Sequence, residues 1–126
     1  MNQHRPKILV VDDEPPLREL VVVTLGDAFA CDEVDNGDEA LARLSADHYD
    51  LVMLDVMMPG TSGTDVLRKM REDEELRDVP VIVMSAWQSP QDVASALEAG
   101  ADRFLAKPFR IDELGSMVRG LVSRSP

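Results

Sequence analysis

Cysteine is nearly absent from this chain of 126 residues, in which Cys31 is the only one. A single cysteine excludes a disulfide bond within the chain and gives no indication of a cysteine-based metal site. Cys31 is therefore expected to be a small, half-buried residue. The length is typical of one domain and is sufficient to bury a hydrophobic core without covalent cross-links.

Long apolar runs are also missing. No stretch of the sequence is long and apolar enough to cross a bilayer. The first residues, MNQHRPK, are charged but have no apolar segment of the signal-peptide type behind them. We therefore expect a cytoplasmic protein that has no membrane partner.

Positive charge is scarce. The chain has 13 lysine and arginine residues against 24 aspartate and glutamate residues, which gives a formal net charge of −11. Phosphate backbones are bound by lysine and arginine, so this balance argues against nucleic acid as a direct partner. Cations or basic protein surfaces are the partners that the charge favours.

Short apolar runs rich in β-branched residues recur along the chain and predict strands. They are Lys7–Val11, Leu51–Leu54, Val79–Met84 and Arg103–Ala106, with a weaker, edge-like run at Cys31–Val34. Continuous apolar runs of this length are typical of strands that are buried on both faces.

The segments between these runs have the spacing of amphipathic helices. The inner positions are Leu17, Leu20, Val21, Thr24 and Leu25, then Leu41 and Leu44, then Val66, Leu67 and Met70, and finally Leu114, Met117, Val118 and Leu121. Asn36 and Ser89 are predicted to be N-caps, and the last helix is expected near Ile111–Ser123. Gly115 and Gly120 should weaken that helix.

This alternation of strands and helices predicts an α/β fold, with a doubly wound parallel sheet and helices on both faces. Ligands of such sheets bind beyond the carboxyl ends of the strands. The residues directly after each predicted strand are therefore the first candidates for a functional site.

Charged and hydroxyl side chains follow four of the five predicted strands. Asp12, Asp13 and Glu14 follow the first strand, Asp55 the third, Ser85 the fourth, and Lys107 the fifth. If these strands are neighbours, the side chains form one cluster of carboxylates, a hydroxyl and an ammonium group.

Carboxylates packed together need a cation to remain ionised, and a hard divalent ion such as Mg²⁺ prefers oxygen ligands. One carboxylate is then free to act as a nucleophile. Attack of Asp55 on a phosphorus atom would give an aspartyl phosphate, with the metal, Lys107 and Ser85 neutralising and orienting the transferred oxygens.

Two other site classes fit less well. A flavin or nucleotide site calls for a glycine-rich or hydroxyl-rich loop after the first strand, where this chain is acidic. A hydrolase of the haloacid dehalogenase type needs D-x-D there, and the chain reads Asp12–Asp13–Glu14. His4 and His48 lie outside the predicted cluster.

Four fragments, in this order and at these spacings, resemble the receiver domain of two-component response regulators. They are LVVDDE (Leu9–Glu14), LDVMMPGTSG (Leu54–Gly63), VIVMSA (Val81–Ala86) and GADRFLAKPF (Gly100–Phe109). The resemblance extends from about Lys7 to the last helix. It implies a flavodoxin-like sheet of strand order 2-1-3-4-5 and a single domain over 1–126. The core would be about 7–123, and 124–126 would be a tail or the start of a linker.

The resemblance also implies roles for individual residues. Asp55 would accept a phosphoryl group from a histidine kinase or a histidine phosphotransfer protein. Asp13, Asp55 and the backbone carbonyl of Met57 would bind Mg²⁺ directly, and Asp12 mainly through water. Ser85 and Lys107 would contact phosphoryl oxygens, and the Lys107–Pro108 peptide bond would be cis. Such a domain is not an enzyme and catalyses only its own phosphorylation and dephosphorylation.

A switch is implied as well. Phosphorylation would draw Ser85 toward the new oxyanion, Phe104 would turn inward, and the surface of the fourth helix, fifth strand and fifth helix would change. That surface would serve an output protein, a C-terminal effector domain or a phosphorylation-dependent homodimer. A receiver-like scaffold that acts without phosphorylation is the alternative.

Met57 and Trp87 are bulky apolar residues at positions that flank the path of the attacking water in this family. Our hypothesis is that they slow hydrolysis of the phosphorylated form. For Trp87, the alternative interpretation is a mobile surface residue or an anchor on the output face.

Overall fold

The computed structural model describes residues 5–58, 60–87 and 89–122. Strands and helices alternate in the order β1 (Lys7–Val11), α1 (Pro15–Leu25), β2 (Ala30–Val34), α2 (Gly37–Ala46), β3 (Leu51–Asp55), α3 (Gly63–Glu72), β4 (Val81–Ser85), α4 (Pro90–Glu98), β5 (Arg103–Ala106) and α5 (Ile111–Val122). A short 3₁₀ turn, Gly26–Ala28, follows α1. Pro59, His4, Ser123 and the tail 124–126 lie outside the described residues.

The five strands form one parallel sheet in the order β2-β1-β3-β4-β5, which confirms the predicted fold. Successive strand residues point to opposite faces. Leu9 and Val11 belong to a core that includes residues of α2, α3 and α4, whereas Ile8 and Val10 belong to a core shared with α1 and α5. Every residue of β3 is buried, so the centre of the sheet is dry on both faces.

Side-chain caps begin three of the helices. The Asn36 side chain accepts a hydrogen bond from the backbone N–H of Glu39, which confirms this predicted cap. Ser89 accepts from the Asp92 N–H, and the Asp92 carboxylate accepts from the Ser89 N–H, so the predicted cap of α4 is reciprocal. These bonds satisfy N–H groups that a helix start leaves without partners.

Two sequence-based details were wrong. Leu20 is 38% exposed and is not part of the inner face of α1. The buried stripe of this helix is narrow and consists of Val21 and Leu25. β4 begins at Val81, two residues later than predicted, where the Val81 N–H donates to the Asp102 carboxylate. None of the described helices has both the length and the apolar character required to span a membrane.

Gly63 allows α3 to start directly against the end of β3. A β-carbon at this position would collide with the Asp55 carbonyl oxygen and would lie 2.7 Å from the Val56 Cα. Neither obstacle can move aside easily, because both are backbone atoms, one in the last residue of β3 and one in the residue that follows it. The absence of a side chain at Gly63 thus fixes how closely α3 approaches Asp55.

We predict that Gly63→Ala destabilises the fold by about 1–3 kcal/mol, since overpacking against backbone forces the helix start away. Gly120→Ala is the matched control, because its added methyl group meets no atom within 4 Å. In α5, that control should stabilise by up to about 1 kcal/mol. Urea unfolding measures both changes, and a Gly63→Ala protein as stable as the parent would contradict the prediction.

Candidate functional site

The functional side chains gather where the strands end. Asp55 is the last residue of β3, and Asp12 directly follows β1 on one side of it. Ser85 ends β4 on the other side, and Lys107 directly follows β5 beyond β4. Pro15 and Pro16 start α1 after Glu14, so the acidic loop 12–14 ends abruptly at the helix.

Four carboxylates share this edge. Asp12, Asp13, Glu14 and Asp55 each offer an oxygen, and these oxygens lie within 4.8 Å of one another. Asp12 and Asp55 are buried, whereas Asp13 and Glu14 are exposed. Two carboxylates of the group are therefore shielded from solvent, and the other two face solvent, where a hydrated ion could approach them.

Lys107 provides the cation of the cluster. Its Nζ lies 2.9 Å from Asp12 Oδ2, 3.1 Å from Glu14 Oε1 and 3.3 Å from Asp55 Oδ2. Burial lowers the pKa of Lys107, but the hydrogen bond and charge of Asp12, the charge of Asp55 and the bond to Glu14 outweigh it and raise the pKa overall. One ammonium among four carboxylates leaves the site strongly negative.

Asp55 is held at an energetic cost. Burial raises its pKa from 3.8 to about 6, and the charge of Asp12 adds to that rise. The Met57 N–H, 3.0 Å from Asp55 Oδ1, and the Lys107 ammonium act in the opposite direction. The carboxylate is still mostly ionised at neutral pH, and it is poised for a further positive charge.

Ser85 ends β4, the strand next to β3, and its side chain is buried. Its buried hydroxyl accepts a hydrogen bond from the Trp87 N–H at 2.9 Å, and its carbonyl accepts from the Lys107 N–H at 2.9 Å. Ser85 lines a cleft of about 240 Å³ between α3 and α4, together with Val56, Met57 and other residues. Val56 and Met57 directly follow Asp55 along the chain, so this cleft adjoins the carboxylate–lysine group.

Phe104 lines the same cleft from β5 and is half-buried. Met57 is 44% exposed and Trp87 is 58% exposed, so both present apolar surface at the cleft mouth. The peptide bond between Lys107 and Pro108 is cis.

Two residues have contacts at the site that the sequence did not predict. Glu14 was placed in the predicted cluster but was given no role, and its carboxylate accepts a hydrogen bond from Lys107 Nζ. Arg18 donates to the Asp12 carbonyl oxygen at 2.6 Å. The position of Glu14 next to Asp13 could have indicated its role. Arg18 lies one helical turn beyond Glu14, and no local pattern in the sequence indicates its contact with Asp12. His48 lies apart from this group and contacts Asp50.

The doubly wound sheet, with a group of four carboxylates at the carboxyl ends of its strands, defines a flavodoxin-like domain. The chain belongs to the response regulator receiver domain family, whose model matches residues 8–119. Receiver domains of two-component systems are in general signal transducers rather than enzymes.

Known proteins support the assignment. The DNA-binding response regulator MtrA of Mycolicibacterium smegmatis is 39% identical over 126 residues, which are 99% of this chain and 54% of MtrA. The chain thus spans about half the length of the curated relatives it matches. The receiver domain of Francisella response regulator 1452 superposes with a TM-score of 0.90 at 32% identity, covering 97% of this chain and 100% of that domain.

A second similar structure contains a metal. The Mn²⁺-bound form of response regulator Rcp1 superposes with a TM-score of 0.79 at 25% identity, covering 94% of this chain and 92% of Rcp1. The acidic group of the present chain consists of oxygen donors, which are the ligands that Mg²⁺ and Mn²⁺ prefer.

We predict that Asp55→Asn stabilises the metal-free protein at pH 8 by about 1–2 kcal/mol, because it removes a charge that burial disfavours. The raised pKa of Asp55 sets the sign of the pH dependence. The gain should shrink as the pH falls below about 6 and vanish below about 3.8, where the carboxyl group is protonated in both the folded and the unfolded state.

Urea unfolding in a chelating buffer at pH 8 and pH 5 measures this difference. Asp78→Asn is the control, since Asp78 is exposed and outside the acidic group. An Asp55→Asn protein less stable than the parent at pH 8 would contradict the prediction.

Proposed function

We propose that this chain is a phosphorylation-controlled switch that accepts a phosphoryl group on Asp55 in a Mg²⁺-dependent reaction. The observation that carries the proposal is the position of Asp55. Its buried carboxylate shares the end of the sheet with three further carboxylates, and Lys107 Nζ lies 3.3 Å away. That arrangement combines a nucleophile with groups that hold and neutralise phosphoryl oxygens.

The residues present fit a divalent ion. Every donor in the group is an oxygen, and one lysine does not neutralise four carboxylates. Asp13, Asp55 and the backbone carbonyl of Met57 would hold Mg²⁺ directly, with Asp12 acting through water. Bound there, the ion would supply positive charge to the transferred phosphoryl oxygens.

Asp55 is the nucleophile in this proposal. One of its oxygens attacks phosphorus, a P–O bond forms, and the bond from phosphorus to the donor's histidine nitrogen or acyl oxygen breaks. The Nζ of Lys107 already contacts Asp55, so it is close enough to pair with one oxygen of a phosphoryl group on that residue. A histidine kinase or a histidine phosphotransfer protein would be the donor, and no reaction on a separate substrate is proposed.

Ser85 and Phe104 would carry the change to the surface. The Ser85 hydroxyl accepts from the Trp87 N–H, so its own hydrogen can be donated to a phosphoryl oxygen. Both Ser85 and Phe104 line the cleft between α3 and α4, which gives the Phe104 ring space to enter when Ser85 moves. The responding surface would consist of α4, β5 and α5.

That surface would contact an output protein, an effector domain or a second copy of the chain. MtrA is by name a DNA-binding response regulator, and the present chain matches about half of it. We propose that residues 1–126 form one receiver domain. Because its net charge is −11, we also propose that this domain does not itself contact nucleic acid.

Intact mass after incubation with Mg²⁺ and acetyl phosphate tests the proposal. We expect one added phosphoryl group, lost when a chelator is present and lost in Asp55→Asn. Asp78→Asn, an exposed carboxylate remote from the group, should be modified like the parent. A folded parent protein that gains no mass, even with candidate kinases supplied, would instead favour the scaffold that acts without phosphorylation.

Met57 and Trp87 should prolong the phosphorylated state, because their exposed apolar side chains at the cleft mouth hinder water. We predict that Met57→Asn combined with Trp87→Glu accelerates dephosphorylation about fivefold, which corresponds to about 1 kcal/mol of barrier. Leu97→Glu is the control, an exposed apolar residue that does not line this cleft. An unchanged rate of phosphate release in the double variant would exclude the role.

A further inference from the structure

Arg18 reaches back from α1 to the loop that carries the buried carboxylate Asp12. Its Nη1 donates to the Asp12 carbonyl oxygen at 2.6 Å, and its Nε lies 3.4 Å from Glu33 Oε1 on the edge strand β2. The Nε is buried and makes no hydrogen bond within the described residues. The hydrogen bond that orients the guanidinium is therefore the one from Nη1 to the Asp12 carbonyl.

Asp12 is fixed at each of its polar atoms. Its N–H donates to the Val34 carbonyl at 3.2 Å, and its carbonyl accepts from Arg18. Its Oδ1 accepts from the Glu14 N–H at 2.9 Å, and its Oδ2 accepts from Lys107 Nζ at 2.9 Å. Arg18 is the only side chain among these partners that holds the backbone of Asp12.

The charge of Arg18 has the wrong sign for a direct contribution to cation binding. A positive group beside the acidic loop repels a divalent ion, although the Glu33 carboxylate partly offsets that charge. A benefit from Arg18 must therefore come from geometry. The two effects predict opposite changes in affinity when the guanidinium is removed.

We propose that Arg18 is a positioning residue, which orients the Asp12–Glu14 loop for the divalent cation through its bond to the Asp12 carbonyl. The inference rests on the proposed function, since it concerns the same cation site. Groups that orient metal ligands without touching the metal commonly change affinity by tenfold or more when they are replaced.

Calorimetric titration with Mg²⁺ tests the role. We expect Arg18→Met to weaken Mg²⁺ binding about tenfold. Arg18→Lys should fall between this variant and the parent, because its ammonium can still donate to the Asp12 carbonyl but lacks the planar guanidinium that fixes the direction of the bond. Arg77→Met is the control for charge, since Arg77 is exposed and precedes β4, at the opposite end of the sheet.

Amide hydrogen exchange separates positioning from general stability. Positioning predicts faster exchange at residues 12–14 with unchanged protection in β3 and β4. Faster exchange throughout the sheet would overturn the role and assign Arg18 to stability alone. If Arg18→Met does not fold, Arg18→Lys decides the matter by the same two measurements.

The outcomes also distinguish the two proposals. Mg²⁺ binding by Arg18→Met as tight as the parent's, or tighter, would overturn the positioning role and leave the proposed function standing. A parent protein that binds no Mg²⁺ would overturn the proposed function itself.

Discussion

The repulsion among carboxylates at one edge of the sheet is the constraint on which the site depends. Asp12 and Asp55 are buried next to each other, and a single lysine contacts both. Burial of charge is costly unless the charge is paired, and one ammonium pairs only part of it. The fold therefore holds a site that gains stability when further positive charge arrives.

The backbone keeps these groups from moving apart. Asp12 directly follows β1 and Asp55 ends β3, and the parallel ladder fixes the ends of these neighbouring strands in register. Gly63 brings the start of α3 against Asp55, and the two prolines of α1 stop the acidic loop after Glu14. A charged site of this kind is rigid because the strands that carry it are also the core of the protein.

Much of this architecture could be predicted from the sequence. Four of the apolar runs end within one residue of the strands they form, and each of these four is followed by a residue that reaches the site. Topology alone therefore places Asp12, Asp55 and Lys107 together. The exposure of Leu20 was not predictable in the same way. Helical spacing shows which residues share a face but not how wide a stripe the neighbouring sheet covers.

Other features depend on contacts across the fold that local patterns do not contain. Ser85 ends its strand as predicted, yet its hydroxyl is bonded to the Trp87 N–H and faces a cleft. Arg18 carries no motif, and only the folded loop shows that its guanidinium meets the Asp12 carbonyl. Both contacts depend on the direction of a side chain and the path of a loop, and neither can be predicted from the strand order.

The most direct test of the central claim is a crystal structure of the protein grown with Mn²⁺ and beryllofluoride, an analogue of the phosphoryl group. We expect beryllofluoride on a carboxylate oxygen of Asp55 and one anomalous Mn²⁺ peak beside Asp13 and the Met57 carbonyl. A fully occupied Mn²⁺ peak elsewhere, or beryllofluoride bound to a carboxylate other than Asp55, would contradict it.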